Sequence, residues 1–251
     1  MNSSTIEQLL QARGAWLKST KGDDQAALAR ASFSRSIAGN YAEFERQRDE
    51  VLHLGKLEDS KAIEAKLAEP EISAFVAKMA AVGLISDAQG APFWVDGRLR
   101  RYLSGGWLEE FAWLAAMEAG AHEAIHGQVL GWEVNGFSGE NEIDLIMRFE
   151  NKLSFVSCKA LRSELDANDR KHRNRLMDAV HTADNLADHF GRQGEKVAVL
   201  VTTDLYDEVK DTPRYHALMG KAAVLDVRII ALEDLAEQKL VKALRALMME
   251  N

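Results

Sequence analysis

Residues 142–159 read EIDLIMRFENKLSFVSCK, two strand-like runs that meet at Glu150-Asn151. A join this short between runs rich in β-branched and aromatic residues predicts a tight hairpin. In the second run Leu153, Phe155, Ser157 and Lys159 share one face at period two, with Ser154, Val156 and Cys158 on the other. Further on, KVAVLVTT (196–203) is apolar almost throughout, the pattern of a strand covered on both faces. The hairpin and this run set the frame into which the rest of the chain must fit.

Around them the order is regular. GGWLEEFAWLAAMEA (105–119) is an amphipathic helix stopped by Gly120. Strands are predicted at about 125–134, 142–149 and 152–159, then a long polar helix at about 168–190 and the strand at 196–203. A helix at about 213–222, a short strand DVRII (226–230) and a terminal helix from about 232 follow. The fold class is α/β, with a restriction-endonuclease-like αβββαβ core and an αβα extension.

Two segments precede this core. Residues 1–69 read as a helical N-terminal arm for dimerisation or docking, with a patchy stripe of Ile6, Leu9, Leu10 and Leu17 and a Glu-, Arg-, Lys- and Ala-rich stretch over 41–68. Residues 70–104 read as a winged-helix-like lead-in. An apolar helix ending at Gly83 is followed by a turn, a short aromatic strand, a second turn at Asp96-Gly97 and a basic edge of Arg98, Arg100 and Arg101. The nuclease-like remainder then spans 105–251.

Composition narrows the function. The 251 residues carry a formal charge of −8, so non-specific coating of duplex DNA is excluded and any nucleic-acid contact must be local. A single cysteine excludes a disulfide framework and a multi-cysteine zinc site. No run approaches the roughly 18 apolar residues that a membrane span needs. A reducing, cytoplasmic setting without membrane attachment is expected.

The chemistry concentrates at the hairpin. Folding it back across Glu150-Asn151 brings Asp144 opposite the region of Ser157 and Lys159. Glu109 and Glu110, one turn into the preceding helix, can point to the same place. Carboxylates are hard oxygen ligands for Mg²⁺ or Mn²⁺, and a nearby ammonium orients water or meets developing negative charge. The run DRKHRNR (169–175) follows the lysine and offers Arg170, Lys171, Arg173 and Arg175 for phosphate contacts, alongside Arg98, Arg100 and Arg101.

GGWLEEF, NEIDLIM and LSFVSCKA, in that order, resemble the PD-(D/E)xK nuclease superfamily. They are most similar to the nuclease domain of the cyclic-oligoadenylate-activated CRISPR ancillary nucleases, over residues 72–250. The resemblance implies a metal-dependent nuclease, with DNA favoured over RNA, in prokaryotic defence or nucleic-acid processing. It makes Asp144 the metal-binding aspartate, Lys159 the motif lysine and Glu109 the helix carboxylate, and it implies a homodimer. Two departures stand out. The glutamate two positions before the lysine is Ser157, a poor metal ligand, which leaves Glu142, Glu164, Asp166 and Asp169 as candidate replacements. The family's N-terminal sensor domain is not matched in the first 70 residues, so control by that second messenger is not implied. Because an unregulated nuclease is toxic, either a tight substrate requirement or a partner, such as a protein or small-molecule activator, is expected.

Two rival readings remain at this point. A catalytically degenerate nuclease fold would serve as a nucleic-acid or protein binding module. HEAIH (122–126) also has the histidine spacing of a zinc peptidase, although that motif requires a continuous helix and Gly120 and Gly127 flank it.

Overall fold

In a computed structural model, residues 4–85, 95–166 and 168–249 are described. The chain runs α1 (Ile6–Gln11), β1 (Ala15–Thr20), α2 (Asp24–Gly39), α3 (Tyr41–Leu54), α4 (Ser60–Leu67), α5 (Pro70–Ala81) and α6 (Gly97–Arg101). A kink over Tyr102–Gly106, where the backbone at Gly105 is not helical, leads into α7 (Trp107–Glu118). There follow β2 (Glu123–Val134), β3 (Phe137–Phe149), β4 (Lys152–Lys159), α8 (Arg170–Phe190) and β5 (Lys196–Val201). A small ribbon, β6 (Tyr206–Asp207) and β7 (Thr212–Pro213), then α9 (His216–Val224), β8 (Val227–Ile230) and α10 (Glu237–Met249) complete it.

The main sheet has the order β1-β2-β3-β4-β5-β8. β1 to β4 are antiparallel neighbours, whereas β5 and β8 run parallel to β4. The parallel half follows from connection length, since β4 and β5 are separated by the 21-residue helix α8, long enough for a crossover. Helices cover both faces, as the apolar run at 196–201 requires. Phe155, Leu153, Ile146 and Val199 pack under α1, α8 and α9, and Leu145, Val156, Cys158 and Leu200 pack under α7 and α10. This is a restriction-endonuclease-like α/β fold.

The front of the chain departs from expectation in two places. Residues 15–20, expected within an all-helical arm, form the edge strand β1, paired from Ala15↔Trp132 to Thr20↔Gln128. Arg98, Arg100 and Arg101, expected on the edge of a hairpin, lie on α6 instead, because the Asp96 side chain accepts the Leu99 N–H at 2.7 Å and caps a helix. The aromatic strand expected before them falls mostly on residues 86–94, outside the described residues.

One apolar cluster draws on all three expected segments. Tyr41 and Phe44 of α3 each place their rings 5.6 Å from that of Trp107 in α7, and Phe33 of α2 meets Phe75 of α5 at 5.8 Å. On the opposite face, Arg13 anchors the loop before β1. Its guanidinium makes two 2.6 Å bonds to Glu195 and a third to the Phe190 carbonyl. Glu195 also accepts the Leu153 N–H at 2.8 Å, so the pair fastens the N-terminal segment to β4 and the end of α8.

Both side chains of this pair are about 5% exposed or less. Arg13→Ala leaves the Glu195 carboxylate buried without its cation, and should lower unfolding free energy by about 3–5 kcal/mol in urea titration. A loss below about 1 kcal/mol would show that the N-terminal segment is not integral to the fold.

Candidate functional site

The β3–β4 ladder runs from Phe149↔Lys152 to Leu145↔Val156 and stops there. Asp144 is the next residue of β3, and its side chain takes over where the ladder ends. Asp144 Oδ2 accepts the Cys158 N–H at 2.7 Å, the Ser157 hydroxyl at 3.2 Å and the Lys159 ammonium at 3.2 Å. The hairpin expected from sequence therefore brings Asp144, Ser157 and Lys159 together. Ser157 is buried and acts as a donor that orients the aspartate.

α7 packs across this end of the sheet through Trp107, Leu108 and Phe111. Its two adjacent glutamates diverge, as neighbours on a helix must. Glu110 is buried and gripped through both oxygens by Arg30 of α2, with Nε at 3.0 Å. Glu109 turns toward Asp144. Burial, then the Asp144 charge, push its carboxyl up to about 7, against a counteracting pull from Arg101. Glu142 raises it further and Lys159 lowers it, so all of these charges act on one small volume.

Each of the three carboxylates holds its own cation. Lys159 pairs with Asp144 at 3.2 Å, Arg101 with Glu109 at 3.1 Å and Lys21 with Glu142 at 2.7 Å. Arg101 also donates to the Lys21 carbonyl at 2.6 Å, which ties the loop after β1 to α6. Space for this convergence comes from Gly127, which lies opposite Asp144 on β2 with φ +58°. A Cβ there would lie 2.9 Å from the Gly22 nitrogen, 3.3 Å from the Arg101 guanidinium and 3.4 Å from the Glu109 carboxylate.

The remaining candidates lie elsewhere. Glu164 lines an open cleft with Glu45, Asp49 and Arg162. Asp166 accepts the Asn168 N–H at 2.7 Å, and Asp169 caps α8 and pairs with Arg162 at 3.2 Å. Of the proposed replacements for the missing acid, only Glu142 is among the groups that act electrostatically on Glu109. Arg98 donates to the Gly83 carbonyl at 3.3 Å. Arg170, Lys171 and Arg175 are exposed in the first turns of α8, and Arg173 is half-buried. That end of α8 meets the end of β5, where His172 Nε2 lies 3.0 Å from Thr203 Oγ1, so the basic turns flank the strand ends at which Lys159 sits.

HEAIH is not a zinc helix. Residues 123–134 are strand, so the two histidines are about 13 Å apart along the backbone rather than one helical turn. His126 is buried against the Trp113 ring at 5.6 Å, and desolvation pushes its pKa down. Among the described residues no group of three or more His, Cys, Asp or Glu side chains is placed to hold a metal. The nearest fit is the Asp144–Glu109 pair, two hard oxygen donors whose mutual repulsion a divalent cation would relieve. Mg²⁺ is commonly held by one or two carboxylates, with water and phosphate oxygens completing its shell.

A family model for the Card1-like endonuclease domain matches residues 96–238, more than half of the chain. The chain belongs to the Card1-like endonuclease domain family. The matched region contains α6, α7, the β2–β4 meander, α8 and β5, and with them Arg101, Glu109, Glu142, Asp144 and Lys159. This agrees with the nuclease resemblance carried by the three sequence blocks. Two solved structures share the fold of this Card1-like domain. Protein VC1899 from Vibrio cholerae is 15% identical with a TM-score of 0.67, over 98% of this chain and 62% of its own. Can2 from Sulfobacillus thermosulfidooxidans, solved in complex with cyclic tetra-adenylate, is 14% identical with a TM-score of 0.59, over 96% of this chain and 61% of its own. The chain thus spans less than two thirds of either protein. No curated protein sequence matches it.

The raised Glu109 carboxyl makes a signed prediction. Between its usual value of 4.5 and about 7, the folded protein holds a proton that the unfolded chain has released. Stability therefore falls as pH rises through that window, and the penalty is complete above it. Glu109→Gln should gain on the order of 2 kcal/mol over wild type at pH 8, and little at pH 4.5, in urea titrations. An equal difference at both pH values would contradict the assignment.

Proposed function

We propose that this chain is a divalent-metal-dependent endonuclease that hydrolyses phosphodiester bonds, with DNA favoured over RNA, in prokaryotic defence. The observation that carries the reading is the Asp144–Glu109 carboxylate pair, with Lys159 fixed 3.2 Å from Asp144 at the open end of the sheet. Membership of an endonuclease domain family supports the reaction class. Asp144 and Glu109 would hold Mg²⁺ or Mn²⁺, with Glu142 close enough to add charge. A divalent ion held there would supply acidification of the attacking water and neutralisation of charge on the phosphate.

This chain's own residues supply the rest. Three donors fix the Asp144 carboxylate before any ligand arrives, so little reorganisation is needed. Glu109 would have to release its proton to hold a cation, so affinity for the cation would rise with pH. Lys159 presents a positive charge where negative charge builds on the phosphate oxygens, or orients the attacking water. Arg170, Lys171 and Arg175 hold the strand's backbone beside the cut. The active form is a homodimer under a protein or small-molecule activator, the class of control suggested by the cyclic tetra-adenylate in the Can2 structure.

A second reading has one observation in its favour. Ser157 stands where the family pattern has an acid, and the described residues show no three-acid cluster. A fold so depleted would bind nucleic acid or a protein partner without cutting. Incubation of labelled single-stranded DNA, plasmid DNA and RNA with Mn²⁺ or Mg²⁺ decides between the two. Wild type should cut at least one substrate, and Asp144→Asn and Lys159→Ala should each lose about a hundredfold or more. Absence of cleavage by folded wild-type protein, or full activity in either variant, would overturn the nuclease reading.

A further inference from the structure

Beside the carboxylate centre lies a cavity of about 240 Å³. Lys21 and Asp23 from the loop after β1, Arg30 of α2, and Arg98 and Arg101 of α6 surround it, with Glu110 of α7 behind. Four cationic side chains and two carboxylates line it, but Lys21 and Arg101 are shared with Glu142 and Glu109 and Arg30 is held by Glu110, so the cation left without a carboxylate partner among the described residues is Arg98. Neither carboxylate is idle. Glu110 is held by Arg30, and Asp23 caps α2 by accepting the Ala26 N–H at 2.9 Å.

The pocket opens directly from the catalytic charges, because two of its residues belong to both. Lys21 lines it while its ammonium reaches Glu142 at 2.7 Å, and Arg101 lines it while holding Glu109 at 3.1 Å. Arg98 differs from its neighbours. Among the described residues it makes a 3.3 Å contact with the Gly83 carbonyl and has no carboxylate partner. The back wall is rigid: Tyr102 is buried, bonded to Ser34 at 3.0 Å and covered by the Arg30 guanidinium 5.2 Å from its ring.

We propose that this pocket is a second phosphate subsite. It binds the backbone phosphate of the nucleic-acid strand next to the one that is cut, with Arg98, which has no carboxylate partner among the described residues, as its principal cation. A guanidinium fork matches phosphate oxygens in pairs, which Arg98 can offer and a lysine cannot, whereas Arg30 and Arg101 are already engaged with Glu110 and with Glu109 and the Lys21 carbonyl. Its volume exceeds that of a lone phosphate and suits a sugar-phosphate unit. The assignment rests on reading the adjacent carboxylates as a phosphodiesterase centre, and it explains why α6 faces that centre.

Binding measured without metal separates the two ideas. Fluorescence anisotropy of a short fluorescein-labelled single-stranded DNA would be followed in EDTA, where cleavage does not intervene, over a range of salt. Arg98→Ala removes an exposed side chain and should weaken binding about tenfold, with the salt slope reduced by about 0.7 for one lost phosphate contact. Arg98→Glu should weaken it further, and thermal melts should show both variants folded. Inorganic phosphate should displace the labelled strand from wild type at lower concentration than from Arg98→Ala. Unchanged affinity and salt slope in both Arg98 variants would overturn the subsite, whatever the cleavage assay shows. Weakened binding by the variants, with no cleavage by wild type, would retain the phosphate site and discard the nuclease.

Discussion

The site depends on one substitution of a side chain for a strand. Where β3 leaves β4, the Cys158 N–H would face an unpaired end, and the Asp144 carboxylate accepts it at 2.7 Å instead. An unmet buried donor is costly, so this bond both ends the ladder and fixes the aspartate. Ser157 and Lys159 converge on the same oxygen. The divergence of the two strands opens the space into which α7 delivers Glu109. Fold and site are therefore one feature: the point where the sheet stops pairing is the point where charge collects.

Charge at that point is balanced by opposition. Burial and Asp144 drive Glu109 toward its neutral form, and Arg101 and Lys159 pull it back. Lys21, Arg101 and Lys159 each neutralise one carboxylate, and they come from the loop after β1, from α6 and from β4. A centre assembled in this way tolerates three acids close together without metal. It also has cations to turn toward a phosphate once the acids are otherwise satisfied. Gly127 makes the crowding feasible, since a side chain at φ +58° would be strained and would press on Gly22, Arg101 and Glu109.

What could be read from the sequence was what local rules govern. The β3–β4 hairpin was legible because a two-residue turn sets its register, and that register placed Asp144 beside Ser157 and Lys159. The α7 helix shows its apolar face in its periodicity, whereas only the family resemblance singles out Glu109 over Glu110. β1 was not legible: AWLKST buries little beyond Ala15, and its partner β2 is more than a hundred residues away. Asp96 carries a helix-capping signal that also reads as a turn, which is why α6 resembles part of a hairpin in sequence. Gly127 looks in sequence like a stop after HEAIH, whereas within β2 it marks the close approach of the Gly22 backbone. The contacts of Lys21 and Arg101 join residues distant in the chain, and no spacing rule reveals them.

The central claim is that the Asp144–Glu109 pair takes up one divalent cation and surrenders the Glu109 proton in doing so. Calorimetric titration of Mn²⁺ at pH 6, repeated in buffers of different ionisation enthalpy, tests it directly. The account predicts a single site in wild type with close to one proton released, and in Glu109→Gln a weakened site that releases none. Binding without proton release in wild type, or with equal release in Glu109→Gln, would contradict it.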